Sequence, residues 1–339
     1  MKTLEDSLVR STAAQSNSVN EVAAKLGVHY SVARRELDRL DILLVDHTRV
    51  ESGQQEEQPS IDELLRTLKA KGYKLDKDTT ASNKTWKVLP KIEQIGPHRA
   101  FKFGWVTDTH FCSKYQQLTH LHTAYKEMSE EGVNLVLHGG DATCGNGHMY
   151  RGQEYEIFCH GLEEQEQYLV DAYPKLSTTD GLPGKTMFIG GNHDLTWKMG
   201  AGYDLVEHAC GRRDDMEYLG MYGAQVEIDG IRIYVHHGDG GVAYARSYKM
   251  QKIIEQMSPE NKPHIYLGGH YHITCELKNY RNVFGNFGGC FEAQTPYLLR
   301  KGLHPEIGYH IVTVKVDDAG LRSVSAEWRP FFVPVKEDF

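Results

Sequence analysis

Residues 185–194 read KTMFIGGNHD: a short apolar run, Met187 to Ile189, that stops at two glycines and then presents an amide, an imidazole and a carboxylate in succession. A brief apolar run bounded by turn residues describes a buried strand. The same grammar recurs on both sides, in AFKFGWVTD (100–108), VNLVLHGGD (133–141), IRIYVHHGD (231–239) and HIYLGGHYH (264–272). Helical stretches at 117–132 and 152–173 separate several of these strands, which indicates an α/β domain. Ile228-Asp229-Gly230-Ile231 carries an Asp-Gly hairpin signal between two strand-like runs, and 308–328 reads as a second hairpin. The sheets are therefore expected to be mixed.

Every one of the five strands ends in groups able to bind a metal. They supply Asp108-Thr109-His110, then Asp141 behind Gly140, then Asn192-His193-Asp194, then His236-His237 before Gly238, then His270-Tyr271-His272. The carboxyl ends of strands are where α/β sheets place their sites. Carboxylate, imidazole and amide oxygen together suit manganese, iron or zinc, whereas an all-oxygen magnesium or calcium cage needs no such supply of histidines. Each piece alone carries little: DxH is common, a histidine in HHG is more often structural, and HxH also decorates surfaces. GNHD is more specific, and all five in this order, each behind an apolar strand, are not a chance arrangement.

The series DTH, GD, GNHD, HG and GHYH resembles the calcineurin-like metallophosphoesterase superfamily, over residues 100–275 of the 339. The resemblance implies a four-layer α/β/β/α sandwich, with two sheets packed face to face and helices outside. It implies two divalent cations, with manganese expected and iron or zinc as alternatives. Asp108, His110 and His272 would hold one cation, Asn192, His237 and His270 the other, and Asp141 would bridge them. His237 rather than His236 matches, because the family ligand directly precedes the glycine; His236 is then a neighbour of the site. Two cations ~3.5–4 Å apart need an anionic bridge and share a water that ionises near neutral pH and attacks phosphorus in line. His193 matches the family's histidine that is not a ligand, and would donate to a phosphate oxygen or to the leaving group. Asp194 is expected either to orient that imidazole or to serve as a helix N-terminal residue.

Departures from sub-patterns narrow the substrate. The protein Ser/Thr phosphatases continue as GDxxDRG and GNHE, whereas this chain has GDATCGNG and GNHD. Purple acid phosphatases place a tyrosine ligand three residues after the bridging aspartate, where this chain has Cys144, read as a buried small residue with thiolate ligation as the alternative. What remains resembles the phosphodiesterase and nuclease branches of prokaryotic or phage type. Two loops offer substrate contacts: Tyr150 and Arg151 after Asp141, and Tyr244 and Arg246 after His237. Arginine grips phosphate bidentately and tyrosine stacks on bases, although such residues in glycine-rich loops also simply pack. In NFGGCFEAQTPYLLRKG (286–302), Glu292 and Gln294 read either as site contacts or as parts of a terminating turn.

Upstream, EVAAKLG ends at Gly27 and HYSVARRELDRLDIL follows, with Ser18 as a candidate cap. Helix, glycine turn, helix resembles a helix-turn-helix, which predicts nucleic-acid contact through Arg34, Arg35 and Arg39; the alternative is a protein-interaction module, given Glu36, Asp38 and Asp41 on the same helix. Val32, Leu37 and Leu40 form the expected buried face. The reading is a small helical, winged-helix-like module over 1–50, a linker with a helix at 61–73 and a short β segment over 51–94, and the catalytic domain over 95–339.

The net charge of −8 works against non-specific binding to DNA or anionic membranes. Six scattered cysteines without a CxxC pair, a start lacking an apolar leader segment, and no run near ~20 apolar residues point to a cytoplasmic chain with no membrane partner. The expected activity is metal-dependent phosphodiester hydrolysis on DNA or RNA. The alternatives are a nucleotide or small-molecule phosphatase or phosphodiesterase, and a DNA-binding regulator whose phosphoesterase-like domain senses metal.

Overall fold

The structure, a computed structural model, describes residues 5–16, 19–40, 85–178 and 184–339. Contacts divide the chain into two compact units, Met1–Leu75 and Asp76–Phe339. The helix expected at 61–73, the linker before it and the Ser18 cap fall outside the described residues, as does the Arg34 side chain. Among the described residues no helix is long and apolar enough to cross a membrane.

Among its described residues the first unit has three helices: α1 (Asp6–Ala13), α2 (Val19–Leu26) and α3 (Tyr30–Arg39). Gly27, at φ +63°, ends α2: its N–H bonds the Ala24 carbonyl at 3.2 Å and the Val28 N–H bonds the Ala23 carbonyl at 3.0 Å, the paired closure of a Schellman turn. The buried core joins Val9 and Ala13 of α1 to Val22, Ala23, Ala33 and Leu37. Leu37 is thus buried as expected, Ala33 takes the central position, and Val32 and Leu40 are half-buried. Arg35 and Arg39 of α3 are engaged with acids. Arg35 pairs with Glu36 at 2.9 Å, and Arg39 reaches Glu36 at 2.9 Å and Asp6 of α1 at 2.5 Å.

The second unit is a four-layer α/β/β/α sandwich. Its strands are β1 (Thr85–Lys87), β2 (Ile92–Ile95), β3 (His98–Val106), β4 (Leu135–His138), β5 (Lys185–Ile189), β6 (Met216–Gly220), β7 (Gly223–Ile228), β8 (Ile231–His237), β9 (Ile265–Gly269), β10 (Thr274–Tyr280), β11 (Val283–Gly288), β12 (Gly308–Asp317) and β13 (Gly320–Pro330). One sheet runs β1-β7-β8-β9-β11-β10; the other runs β13-β12-β3-β4-β5-β6, with β2 also on β3. Both are mixed: β3, β4, β5 and β6 pair in parallel while β12 lies antiparallel to β3, and β8, β9 and β11 pair in parallel while β7 and β10 flank them antiparallel. Asp229 (φ 48°) and Gly230 (φ 76°) make the expected tight turn between β7 and β8.

The β segment expected upstream of the domain is neither a wing nor a free connector. β1 extends the first sheet in parallel register with β7, and β2 pairs with β3, so both lie in the sandwich although they precede or overlap its expected start at 95. Unpaired strand N–H and C=O groups are satisfied by an available sheet edge.

Phe101, Phe103, Trp105, Leu137 and Ile189 of one sheet meet Val226, Ile233, Val235, Ile265 and Leu267 of the other in the central core. Helices α4 (Leu118–Glu130), α5 (Leu162–Ala172), α6 (Asn192–Ala201) and α7 (Leu205–Gly211) flank the β3–β6 region, where Leu121, Tyr125, Leu169, Leu205 and Ala209 pack on Val106, Val136 and Phe188. The helical stretch expected at 152–173 is shorter than its pattern, beginning only at Leu162; residues 153–155 form a single 3-10 turn. On the other sheet α8 (Tyr248–Gln256) covers Tyr266 and Phe287 with Met250 and Ile254, and α9 (Pro296–Lys301) follows β11 in the chain.

Glycine permits close approach at the strand ends. A Cβ on Gly269 would lie 2.3 Å from Thr107 Oγ1 and 2.6 Å from the Gly139 carbonyl, whereas one on Gly211 would meet nothing within 4 Å. Gly269→Ala is expected to lower the urea unfolding free energy by about 1–3 kcal/mol through overpacking. Gly211→Ala should stay within about 1 kcal/mol of the parent, on the stable side.

Candidate metal centre

Five of the seven expected ligands stand on backbone that L residues rarely adopt. Asp108, His110, Asp141, His270 and His272 have φ of 54°, 45°, 49°, 86° and 52°. Left-handed backbone costs about 1–2 kcal/mol per non-glycine residue, so the surroundings must impose it. Backbone bonds do so: Asp108 N donates to the Gly140 carbonyl and His110 N to the Asp141 carbonyl, both at 3.0 Å, and His270 N donates to Asp108 Oδ2 at 2.9 Å. The loops after β3, β4 and β9 are thereby laced into one rigid floor, and strain concentrated at one place points to function.

Two clusters of donor atoms rise from this floor. Asp108, His110 and His272 converge in one, and Asp141, His237 and His270 in the other. In the first, His110 Nε2 lies 3.0 Å from His272 Nε2, which in turn lies 3.4 Å from Asp108 Oδ1. In the second, His237 Nε2 lies 3.1 Å from Asp141 Oδ2 and 2.9 Å from Asn192 Oδ1. Asp141 Oδ2 is also 4.0 Å from His110 Nε2, so a single carboxylate oxygen faces both clusters. Asp108, His110, Asp141 and His237 are all buried.

Hydrogen bonds fix which ring nitrogen is offered. His237 Nδ1–H donates to the Gly139 carbonyl at 2.8 Å, which turns the Nε2 lone pair toward the oxygens of Asn192 and Asp141. That arrangement is repulsive without a positive charge among the three atoms. Burial by itself lowers the pKa of His237, but the Asp141 carboxylate outweighs it and raises the value to about 9. His270 Nε2–H donates to the Gly240 carbonyl at 2.8 Å, leaving Nδ1 for the cluster. The donor set and the convergence of lone pairs fit a pair of divalent cations.

His236 is not beside the site. In β8, Ile231, Ile233, Val235 and His237 alternate inward, and His236 therefore faces the opposite side of the sheet, where Nδ1 meets the Tyr266 hydroxyl at 3.0 Å. His193 stands at the start of α6, half-buried, its ring edge-on to His110 with centroids 4.7 Å apart. Its backbone N–H donates to Asp141 Oδ1 at 2.8 Å.

The expectation that Asp194 orients the His193 imidazole is corrected by the structure. Asp194 accepts from Thr143 N and Thr143 Oγ1, each at 2.8 Å, from Gly191 N at 3.0 Å and from Ala142 N at 3.1 Å. It clamps the loop that carries Asp141 to the first turn of α6. The imidazole is held instead by the Cys144 carbonyl, 3.0 Å from Nδ1, with the Gln153 side-chain amide 3.1 Å away. Gln153 is fully buried and donates to the same carbonyl at 2.9 Å. Cys144 itself is buried with His110 and His193 nearby, and burial pushes its thiol well up, as suits a protonated, packed side chain.

The expected substrate contacts separate. Tyr150 is committed to packing: its hydroxyl donates to Glu156 at 2.5 Å and its ring stacks on Tyr297 with centroids 4.1 Å apart. Arg246 pairs with Glu306 at 2.7 Å. Arg151 and Tyr244 are exposed. Of the two residues left open, Gln294 turns away to the Leu303 carbonyl at 2.7 Å, whereas Glu292 is buried with Oε2 4.0 Å from His110 Nε2.

A face-to-face α/β sandwich with two converging donor clusters at its strand ends defines a metal-binding hydrolase scaffold. Residues 101–288 match the calcineurin-like phosphoesterase family, and the chain belongs to it. Membership carries metal-dependent phosphoester hydrolysis as the class of activity. Similar solved structures include zinc-complexed Vps29 from Entamoeba histolytica, at 12% identity and TM-score 0.34, covering 68% of this chain and 99% of that one. A conserved uncharacterized protein described as a predicted phosphoesterase from Streptococcus pneumoniae aligns at 11% identity and TM-score 0.31, over 68% and 98% of the two chains. Vps29 from Chaetomium thermophilum aligns at 11% and 0.36, over 68% and 98%. Likenesses this remote bear on neither substrate nor activity. Among curated proteins no sequence matches.

Removing Asp194 leaves the buried N–H groups of Ala142, Thr143 and Gly191 without their acceptor, each worth about 1–3 kcal/mol when unmade. Asp194→Ala should therefore lose at least about 2 kcal/mol of unfolding free energy, while His193→Ala stays within about 1 kcal/mol of the parent. Urea titrations of the two variants check this; equal stability would remove the clamp.

Proposed function

We propose that the chain is a two-metal phosphodiesterase acting on nucleic acid, with Asp108, His110 and His272 at one cation, Asn192, His237 and His270 at the other, and Asp141 between them. The observation that carries this reading is the Asp141 carboxylate, one of whose oxygens faces both donor clusters. Two divalent cations, manganese in our reading, would supply Lewis acidity and would lower the pKa of water toward neutrality when bound. The chain's residues do the rest. Asp141 keeps the two clusters in fixed relation. The buried loops exclude bulk water from one side. The Cys144 carbonyl holds His193 Nδ1–H, so Nε2 is the atom that exchanges a proton with a phosphoryl oxygen or the leaving group. The start of α6 adds N–H groups and the positive end of a helix dipole.

Exposed Tyr244 and Arg151 are available to stack on a base and to contact a neighbouring phosphate, which supports a strand over a small ester. One observation favours a second reading: with Arg35 and Arg39 paired to Glu36 and Asp6, the first unit has little cationic surface on that face to spend on phosphate. In that reading the substrate is a nucleotide or another small phosphodiester, and the first unit contacts protein.

Hydrolysis of bis-p-nitrophenyl phosphate should exceed that of p-nitrophenyl phosphate in manganese and be abolished by Asp141→Asn. His193→Ala should lower kcat by about 10²–10⁴ while leaving the bound manganese unchanged. Preference for the monoester would overturn the diesterase reading, and activity retained in Asp141→Asn would overturn the site. Cleavage of single-stranded DNA or RNA oligonucleotides, against cyclic and dinucleotide diesters, separates the two readings.

A further inference from the structure

Glu292 lies outside the seven residues assigned above, yet it is buried against them. It follows β11 on a segment whose register is fixed by the bridge between Gln116 and Glu292. One carboxylate oxygen, Oε1, accepts from Ser113 Oγ at 2.7 Å. The other, Oε2, points at the first cluster: it is 3.9 Å from His272 Nδ1 and 4.0 Å from His110 Nε2. It is not one of the three groups that converge there.

His272 offers Nε2 to the cluster, close to His110 Nε2 and Asp108 Oδ1, which leaves Nδ1 as the outward nitrogen. Nδ1 is buried and meets no hydrogen-bonding oxygen or nitrogen, the Cys290 side chain being the group that interacts with the ring. The Cys290 thiol beside it donates to the Glu292 carbonyl at 3.3 Å. Glu292 in turn has a single neutral donor, Ser113, on one oxygen. A buried carboxylate so sparsely satisfied costs several kcal/mol unless positive charge lies near. A ligating histidine nearly always donates its second N–H to a carboxylate, carbonyl or water, an arrangement that fixes the ring and raises its basicity. Each group has what the other lacks, across a gap of 3.9 Å.

We propose that Glu292 is a positioning residue of the first cation site, anchoring His272 through Nδ1–H and supplying negative charge behind the ligand. Ser113 aims the carboxylate by holding its other oxygen. The inference rests on the two-metal reading of the site and extends it to a residue in the segment after the last ligand.

Manganese titration of the full chain, by calorimetry with free ion followed by electron paramagnetic resonance, tests it without substrate. The parent should bind in two steps. In Glu292→Gln, one step should weaken by about 10–100-fold and the other hold, while the metal-free melting temperature stays at the parent value. Both steps unchanged, or both weakened alike, would overturn the anchor. If Glu292→Gln does not melt cooperatively, Ser113→Ala replaces it: a weaker single step supports the proposal and an unchanged isotherm overturns it. A parent chain that binds no manganese would overturn the two-metal reading itself and this inference with it.

Discussion

The carboxylate of Asp141 is a negative charge buried where the strand ends of two sheets meet, and most of the site is arranged to keep it there. An unpaired carboxylate in such a place is prohibitively costly. Here Oδ1 takes the His193 N–H, Oδ2 faces His237 and His110, and the backbone carbonyl takes the His110 N–H. Gly191 permits the approach, since a Cβ there would lie 2.2 Å from Asp141 Oδ1. Asp194 then ties the same loop to α6. The left-handed backbone of Asp108, His110, Asp141, His270 and His272 follows from these demands. Short strands end together, and the chain must turn at once while aiming each side chain back at the shared charge.

This dependence explains what could be read from the sequence and what could not. Donor groups at the ends of apolar runs are local facts, and an alternation of two distinguishes His237 from His236 once β8 is registered by Ile231, Ile233 and Val235. The mixed sheets were legible for the same reason, because the tight turn at Asp229-Gly230 and the long C-terminal hairpin are encoded locally, whereas the face-to-face sandwich was legible only through the resemblance that the metal motifs carry. Of the two roles read for Asp194, the structure shows the helix N-terminal one and not the orienting one, because its neighbour in sequence is not its partner in space: a residue on the first turn of a helix points back along the loop it caps. Gln153 and Glu292 went unassigned because nothing local marks them. Gln153 is one amide in a polar loop, and Glu292 reaches the cluster only after a turn packed through Ser113 and Gln116. The start of the domain was placed too late because β1 and β2 become strands only through the edges they join.

The electrostatics of the first unit bear on how a nucleic acid would be engaged. A recognition helix earns affinity from cations free to replace condensed counterions on phosphate. On α3, Glu36 is buried between Arg35 and Arg39, and Asp6 of another helix takes Arg39 as well. These pairs tie α1 to α3 and are better understood as internal fasteners than as a binding face. With a net charge of −8 over the whole chain, long-range attraction to a polyanion is also weak.

If the substrate is the phosphodiester proposed above, its selection would fall to the metal centre and its rim, where bound cations rather than these arginines would meet the anion. The same constraint limits which residues can tune the substrate. Tyr150 and Arg246 are already bound to Glu156 and Glu306, so they shape the loops that carry them. Arg151 and Tyr244 remain on the solvent side of those same loops. A rigid floor of buried carboxylates and imidazoles, bordered by loops whose acids hold some residues and leave others exposed, separates the chemistry from the choice of substrate. In the proposed reading, changes at Arg151 or Tyr244 would alter which ester is cleaved without disturbing the charge balance around Asp141, because neither side chain contributes to that balance.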